Sequence, residues 1–154
     1  MTIGIIGARK YRDRQSVIDL VRTLPTDSVI VTSSCRGVCT WTATEAKARG
    51  LRVIVFSPDL QGVDSKFEVA KRYYERNRKL IEACDVVHAF ISKEGGFSGG
   101  TKFEVEYARR LGKPVELHWE NGISERIYQY SLSLTQHGKP FFCAWEDFFV
   151  KTFA

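Results

Sequence analysis

Side chains able to hold a phosphate and a ribose crowd into three runs between Arg76 and Glu104: Arg76-Asn77-Arg78-Lys79, the apolar stretch from Asp85 to Ile91, and Gly99-Gly100-Thr101-Lys102-Phe103-Glu104. The loop after the apolar stretch holds four glycines, Gly95, Gly96, Gly99 and Gly100, and opens a predicted helix. Glycine lets backbone turn tightly and approach a ligand, and a helix start offers unpaired N–H groups and a positive dipole end, a combination that favours an anion. Thr101 adds a hydroxyl donor. Glu104, one turn into the helix, repels a phosphate, so its carboxyl suits a ribose hydroxyl or a catalytic task. Cleavage of an N-glycosidic bond passes through an oxocarbenium-like state that a carboxylate stabilises while an arginine anchors the phosphate. Glu104 and Arg78 are the candidates for those two roles, with Asn77 and Lys79 beside them. For each a plainer reading exists: a first-turn glutamate favoured by the helix dipole, and a solvated basic helix face.

These residues need a scaffold that brings their loops together. Strand and helix patterns alternate: a strand at Ile3–Ile6, a helix at Asp13–Leu24, a strand at Ser28–Thr32, and a helix at Thr40–Arg49 stopped by Gly50. A third strand at Leu51–Ser57, a helical region from about Lys66 to Ala83, the strand Asp85–Ile91, a helix from Gly100 to Leu111 and a fifth strand at Pro114–Trp119 follow. Continuous apolar strands separated by helix-length segments predict an α/β fold, a Rossmann-like doubly wound parallel sheet of about five strands in order 3-2-1-4-5. Strands one and four then lie side by side where the order reverses, the place at which such sheets bind ligands. The first loop there is Gly7-Ala8-Arg9, and Ser34, Arg36 and Gly37 follow the second strand next to it. Gly7, Ala8, Arg9, Ser34, Arg36, Gly37, Asn77, Lys79, Gly99, Gly100 and Thr101 are therefore the predicted ligand-binding residues. A helix that begins at Lys66 places Arg78 far along its length, so Arg78 reaches the pocket only if the helix starts or breaks near Arg76. Asn77 falls on the apolar stripe of Ala70, Tyr74, Ile81 and Cys84, an unusual place for an amide without a partner.

Composition bounds the function. The 154 residues, 44% apolar and 27% charged, are enough for one globular domain, read as a core over 1–119 with an aromatic-rich extension over 120–154. No apolar run approaches membrane-spanning length and the start lacks the regions of a signal peptide, so a cytoplasmic protein with no membrane partner is expected. A net charge of +5 points to anionic partners, nucleotide or nucleic acid. The four cysteines, Cys35, Cys39, Cys84 and Cys143, contain no Cys-x-x-Cys, and neither a metal nor a cofactor is expected. His88 and His118 sit within strands and read as packed, hydrogen-bonded side chains.

Two common nucleotide signatures are missing. The first turn has Gly4-x-x-Gly7 rather than G-x-G-x-x-G, strand two ends in Thr32-Ser33-Ser34 without an acidic residue for a ribose, and no Gly-Lys-Ser or Gly-Lys-Thr occurs.

Gly7-Ala8-Arg9, Arg36-Gly37, Phe56-Ser57-Pro58-Asp59, Arg76-Asn77-Arg78-Lys79 and Gly100-Thr101-x-x-Glu104, in that order, resemble the SLOG superfamily of Rossmann-like proteins. That superfamily includes the Lonely Guy phosphoribohydrolases, the YspA-type proteins and the DNA-processing protein DprA. The resemblance spans roughly residues 3 to 119. In the Lonely Guy branch an Arg-Lys pair and P-G-G-x-G-T-x-x-E bind a nucleoside 5′-monophosphate and release its base and ribose 5-phosphate. Arg78-Lys79 matches the pair and Gly100 to Glu104 the end of the motif, whereas Glu94-Gly95-Gly96-Phe97-Ser98-Gly99 is longer and has no proline. The Gly-x-Arg turn and Arg-Asn pair are closer to the YspA branch. The resemblance thus implies nucleotide binding, with N-glycoside hydrolysis of a nucleoside monophosphate as the enzymatic reading. A non-catalytic nucleotide sensor and a single-stranded nucleic-acid binder are the alternatives.

The extension offers two patterns. Tyr128, Tyr130, Leu132 and Leu134 alternate as in a strand that could pair with Phe141–Trp145 across His137-Gly138-Lys139-Pro140, and Ile123, Ile127, Tyr130 and Leu134 fit a helix. So many aromatics suggest cover for a sheet edge or a subunit interface, hence an expected homo-oligomer.

Overall fold

Residues 1–127 are described by the structure, a computed structural model; the hairpin and helix alternatives for the extension fall largely outside them. Strands β1 (Thr2–Gly7), β2 (Val29–Ser33), β3 (Arg52–Phe56), β4 (Val86–Ile91), β5 (Val115–Trp119) and β6 (Ser124–Ile127) form one sheet in the order β3-β2-β1-β4-β5-β6. The first five run parallel, in the order expected from the sequence. Helices α1 (Arg14–Thr23), α2 (Val38–Ala48), α3 (Lys66–Glu82) and α4 (Gly99–Arg110) make the crossovers.

Both faces of the sheet are covered. Ile3, Ile5, Ile30 and Phe90 pack under Val17 and Val21 of α1 and Val38 and Ala46 of α2. Ile6, Val31, Val87, Ala89, Val115 and Leu117 pack on the opposite face under Leu80 and Ile81 of α3 and Val105 and Ala108 of α4. Strands buried on both faces have no polar side to alternate with, which is why they read as continuous apolar runs.

The helix starts are set locally. Asp13 accepts a hydrogen bond from the Ser16 amide at 3.2 Å and caps α1. Ser65 accepts one from the Glu68 amide at 3.1 Å, the first half of a Ser-x-x-Glu cap, and α3 then runs unbroken for 17 residues. That continuity governs the site.

The sheet exceeds the expected five strands by one. β6 turns back antiparallel on β5, with Val115 opposite Ile127 and His118 opposite Ser124. Its turn closes through Gly122, which has φ +85°, and through hydrogen bonds from the Trp119 amide to the Ile123 carbonyl and from the Gly122 amide to the Trp119 carbonyl, both 2.9 Å. The strand Ser-Glu-Arg-Ile is short and mostly polar, an edge pattern that carries no apolar periodicity to read. No helix among the described residues is long and apolar enough to cross a membrane.

Candidate functional site

A cavity of about 310 Å³ opens at the carboxyl ends of β1 and β2. Gly7 and Arg9 come from the turn after β1; Ser33 and Cys35 lie at and just after the end of β2, and Cys39 lies in the first turn of α2. α3 supplies Ala70, Tyr73, Tyr74, Arg76 and Asn77, and the first turns of α4 supply Gly100, Thr101 and Glu104. The loops thus meet beside the point where the strand order reverses, as doubly wound sheets dictate.

Glycine is required at two points of this floor. A Cβ on Gly7 would stand 2.7 Å from Val38 Cγ2, so only glycine lets α2 pack against the end of β1. Gly37 has φ +81° and ψ −123°, a backbone region L side chains rarely adopt, and it lets the β2–α2 turn pass beside the Arg9 carbonyl.

The wall formed by α3 follows from its phase. Ala70, Tyr73, Tyr74 and Asn77 recur at helical spacing and line the cavity, while Leu80 and Ile81 continue the stripe into the core. At 3.6 residues per turn, Arg76 and Arg78 are about 200° apart around the axis and leave the helix on opposite flanks. Arg76 takes the cavity flank and is only 6% exposed. Its Nε donates to Asn77 Oδ1 at 2.8 Å, Nη1 to the Phe56 carbonyl at 3.4 Å, and Nη2 to Cys35 Sγ at 3.5 Å. The Asn77 amide thereby has the partner that its place on the apolar stripe demands.

Two guanidiniums converge at the mouth. Arg9 and Arg76 lie 6.0 Å and 5.5 Å from the centroid of the Tyr73 ring, and Arg9 Nη2 donates to Cys35 Sγ at 4.0 Å. Burial pushes the Cys35 thiol up, but hydrogen bonds from Ser33 and Arg76 and the charges around it outweigh burial, and its pKa ends below the ordinary value. Cys39 is the opposite case: burial holds its pKa above the ordinary value, and its Sγ accepts from Ser33 Oγ at 3.1 Å. The cavity therefore has one thiol that leans toward the anion and one that is inert.

Glu104 lies at the bottom, 6% exposed. Burial pushes its carboxyl up to about 8; the charge of Arg76 offsets part of this and Cys35 adds to it. At neutral pH the carboxyl is mostly protonated and can donate a hydrogen bond. This disfavours the charge that Glu104 needs in order to stabilise a ribosyl cation, and weakens the repulsion that argued against a phosphate beside it.

Of the residues predicted from sequence, Gly7, Arg9, Asn77, Gly100, Thr101 and Glu104 meet in the cavity. Ala8 and Gly37 shape the turns behind it, with the Ala8 amide bonded to the Phe90 carbonyl at 3.1 Å. Gly99, with φ +60°, is the first residue of α4 and is exposed at its rim. Ser34 and Arg36 are exposed and do not line the cavity. Arg78 and Lys79 do not line it either: the unbroken α3 turns Arg78 toward Tyr107 on the α4 flank and Lys79 to solvent. The condition set for Arg78, a helix start near Arg76, is not met.

The sequence reading assigned no site role to Tyr73, Tyr74, Ala70, Ser33, Cys35 or Cys39, and within the basic run it chose Arg78 over Arg76. Asn77 on the apolar stripe was the available signal, since one step back from it lies Arg76. Lys10 and Arg12, which follow Arg9 in the same turn, bond to Glu94 at 2.9 Å and 3.1 Å, whereas Arg9 lines the cavity.

No protein-family model and no curated protein matches the sequence. Solved structures that share the fold include two DNA processing proteins. DNA processing protein A from Helicobacter pylori, described for its single-stranded DNA binding mode, superposes with a TM-score of 0.61 at 22% identity, over 76% of this chain and 64% of that one. The DNA processing protein A (DprA) from Streptococcus pneumoniae gives a TM-score of 0.61 at 18% identity, over 75% of this chain and 49% of that one. The chain therefore spans between about half and two thirds of the length of these proteins, and the similarity shows a shared Rossmann-like α/β fold.

Proposed function

We propose that the cavity binds one nucleotide unit through its phosphate. The observation that carries this reading is the convergence of Arg9 and Arg76 on Cys35 Sγ over the face of Tyr73, at the mouth of a cavity of about 310 Å³. Both guanidiniums are turned toward a weak acceptor, and a phosphate oxygen is a far stronger one with a geometry that suits a guanidinium fork. The α4 N-terminus at Gly99-Gly100-Thr101 supplies further donors. Tyr73 and Tyr74 offer ring faces for a base, and the protonated Glu104 donates to a phosphate or ribose oxygen. Hydrolysis of the N-glycosidic bond draws no support from this arrangement, because burial disfavours the charge that Glu104 would have to carry and Arg78 lies on the other flank of α3.

A second reading places that nucleotide within a single strand of nucleic acid. It is supported by the net charge of +5, by exposed Arg36 beside the mouth, and by the fold shared with the Helicobacter pylori protein, described as binding single-stranded DNA. Thermal denaturation with nucleoside 5′-monophosphates, unphosphorylated nucleosides and short oligonucleotides separates the two. A free-nucleotide pocket gives stabilisation of about 2.7 kcal/mol at ~100 times the dissociation constant of the monophosphate, and far less with the nucleoside. A strand-binding protein responds to oligonucleotides with a steep salt dependence and hardly at all to monophosphates. No response to either class rejects both.

A further inference from the structure

We infer that His88, His118 and Glu116 form a binding site for a divalent transition-metal ion, with zinc as the fitting probe, on the sheet face covered by α1 and α2. The strand register assembles it. His88 of β4 stands opposite Glu116 of β5, and His118, two residues on, points to the same face. On the other side of β5, Ser124 and Arg126 of β6 stand opposite His118 and Glu116. Three potential ligand atoms, one from each residue, all lie within 4.8 Å of one another.

The donor set and its spacing suit zinc. His88 Nδ1 and His118 Nε2 are 2.9 Å apart, and His118 Nε2 and Glu116 Oε1 are 3.8 Å apart. Tetrahedral zinc with bonds of about 2.0–2.1 Å holds its ligand atoms roughly 3.3 Å apart, a value between these two. The two imidazole nitrogens face each other with their ring planes 28° apart, an arrangement that needs a shared proton when no cation is present. A metal ion would replace that proton, which moves to His88 Nε2.

The surroundings orient the ligands. His118 Nδ1 lies 3.1 Å from Ser124 Oγ; donation from Nδ1–H to that oxygen leaves Nε2 with its lone pair toward the cluster. The Phe90 ring stacks on His118 with centroids 4.7 Å apart and limits its rotation. Arg126 Nε donates to Glu116 Oε2 at 3.1 Å, which orients the carboxylate and leaves Oε1 for the cluster, while its charge weakens affinity for a cation. Two imidazoles and one carboxylate leave a fourth position open to water, the pattern of accessible rather than purely structural sites.

The test is a titration of the metal-free full chain with zinc chloride by calorimetry, repeated with cobalt(II) to record its visible ligand-field spectrum. One ion per chain is expected, with a cobalt spectrum of tetrahedral intensity. Glu116→Gln and His118→Gln should each weaken binding at least 10-fold, and Ser124→Ala by roughly 10-fold through the loss of orientation. Arg126→Ala should tighten it. Cys35→Ser, which alters the cavity thiol, should leave it unchanged and so separates this site from any thiol-held metal. Melting curves without metal check that each variant is folded; where His118→Gln fails to fold, the cobalt spectrum of Glu116→Gln decides. Absence of binding at about 0.1 mM zinc, or binding that survives both ligand substitutions, overturns the inference.

Discussion

The two flanks of α3 carry arginines two residues apart in the same basic run, with different fates. On one flank, Arg76 is buried, held by Asn77, the Phe56 carbonyl and Cys35, and faces the cavity. On the other, Arg78 is half-buried beside Tyr107, whose hydroxyl donates to Glu82 at 2.6 Å. The sequence run is the same for both; only the helical phase separates them. Proximity in a motif therefore says little about shared function once the segment is a continuous helix, because consecutive residues point about 100° apart.

Breaking the cavity flank should have the largest effect. Arg76→Ala should weaken binding of the anionic ligand by roughly 10- to 100-fold, the worth of a hydrogen bond to a charged group, as measured by calorimetry. Arg76→Lys should recover only part of this, because an ammonium cannot make the guanidinium fork.

Glu104 gives a sharper test through pH. Its folded pKa of about 8 lies above the ordinary 4.5, so the folded state binds the proton more tightly than the unfolded state. The stability this contributes is fully present below about pH 4.5 and is lost as pH rises through about 8. Urea midpoints of the wild type should therefore decline across that window, by an amount equivalent to a few kcal/mol at most, and Glu104→Gln should flatten the decline. The same variant should bind ligand at pH 7 within about threefold of wild type, since a neutral amide replaces a neutral acid. Tightening by more than about tenfold would mean that Glu104 is ionised and repels the ligand.

Arg9→Ala should cost less than Arg76→Ala, roughly three- to tenfold, because Arg9 is more open to solvent and water screens its charge. Arg78→Ala and Arg36→Ala should change affinity by less than about twofold. A larger loss for Arg36→Ala with oligonucleotides than with mononucleotides would favour a strand that continues past the rim.

How much of this could be read in advance varies along the chain for physical reasons. The five parallel strands and their order follow from apolar runs such as Val29–Ser33 and Val86–Ile91, which sheet burial makes unmistakable. Gly7, Arg9, Gly100, Thr101 and Glu104 could be placed at one edge because topology alone brings the loop after β1 and the start of α4 together, and Asn77 stood out as an amide on the apolar stripe of α3. Arg76 did not stand out, since choosing between the flanks of α3 needs to know which neighbour lies on each. Cys35, Cys39 and Ser33 were hidden by the same limit, as their contacts depend on a turn that only Gly37 permits. The histidines illustrate long-range register: His88 and His118 are 30 residues apart, and no local spacing announces that they touch.

The central claim, that an anionic nucleotide group is held by the Arg76 flank of α3, is tested most directly by side-by-side calorimetry of wild type, Arg76→Ala and Arg78→Ala with the nucleotide or oligonucleotide that gives the largest thermal shift. Loss of at least about tenfold in affinity for Arg76→Ala with a change under about twofold for Arg78→Ala is the predicted result. Equal losses, or a larger loss for Arg78→Ala, would contradict it.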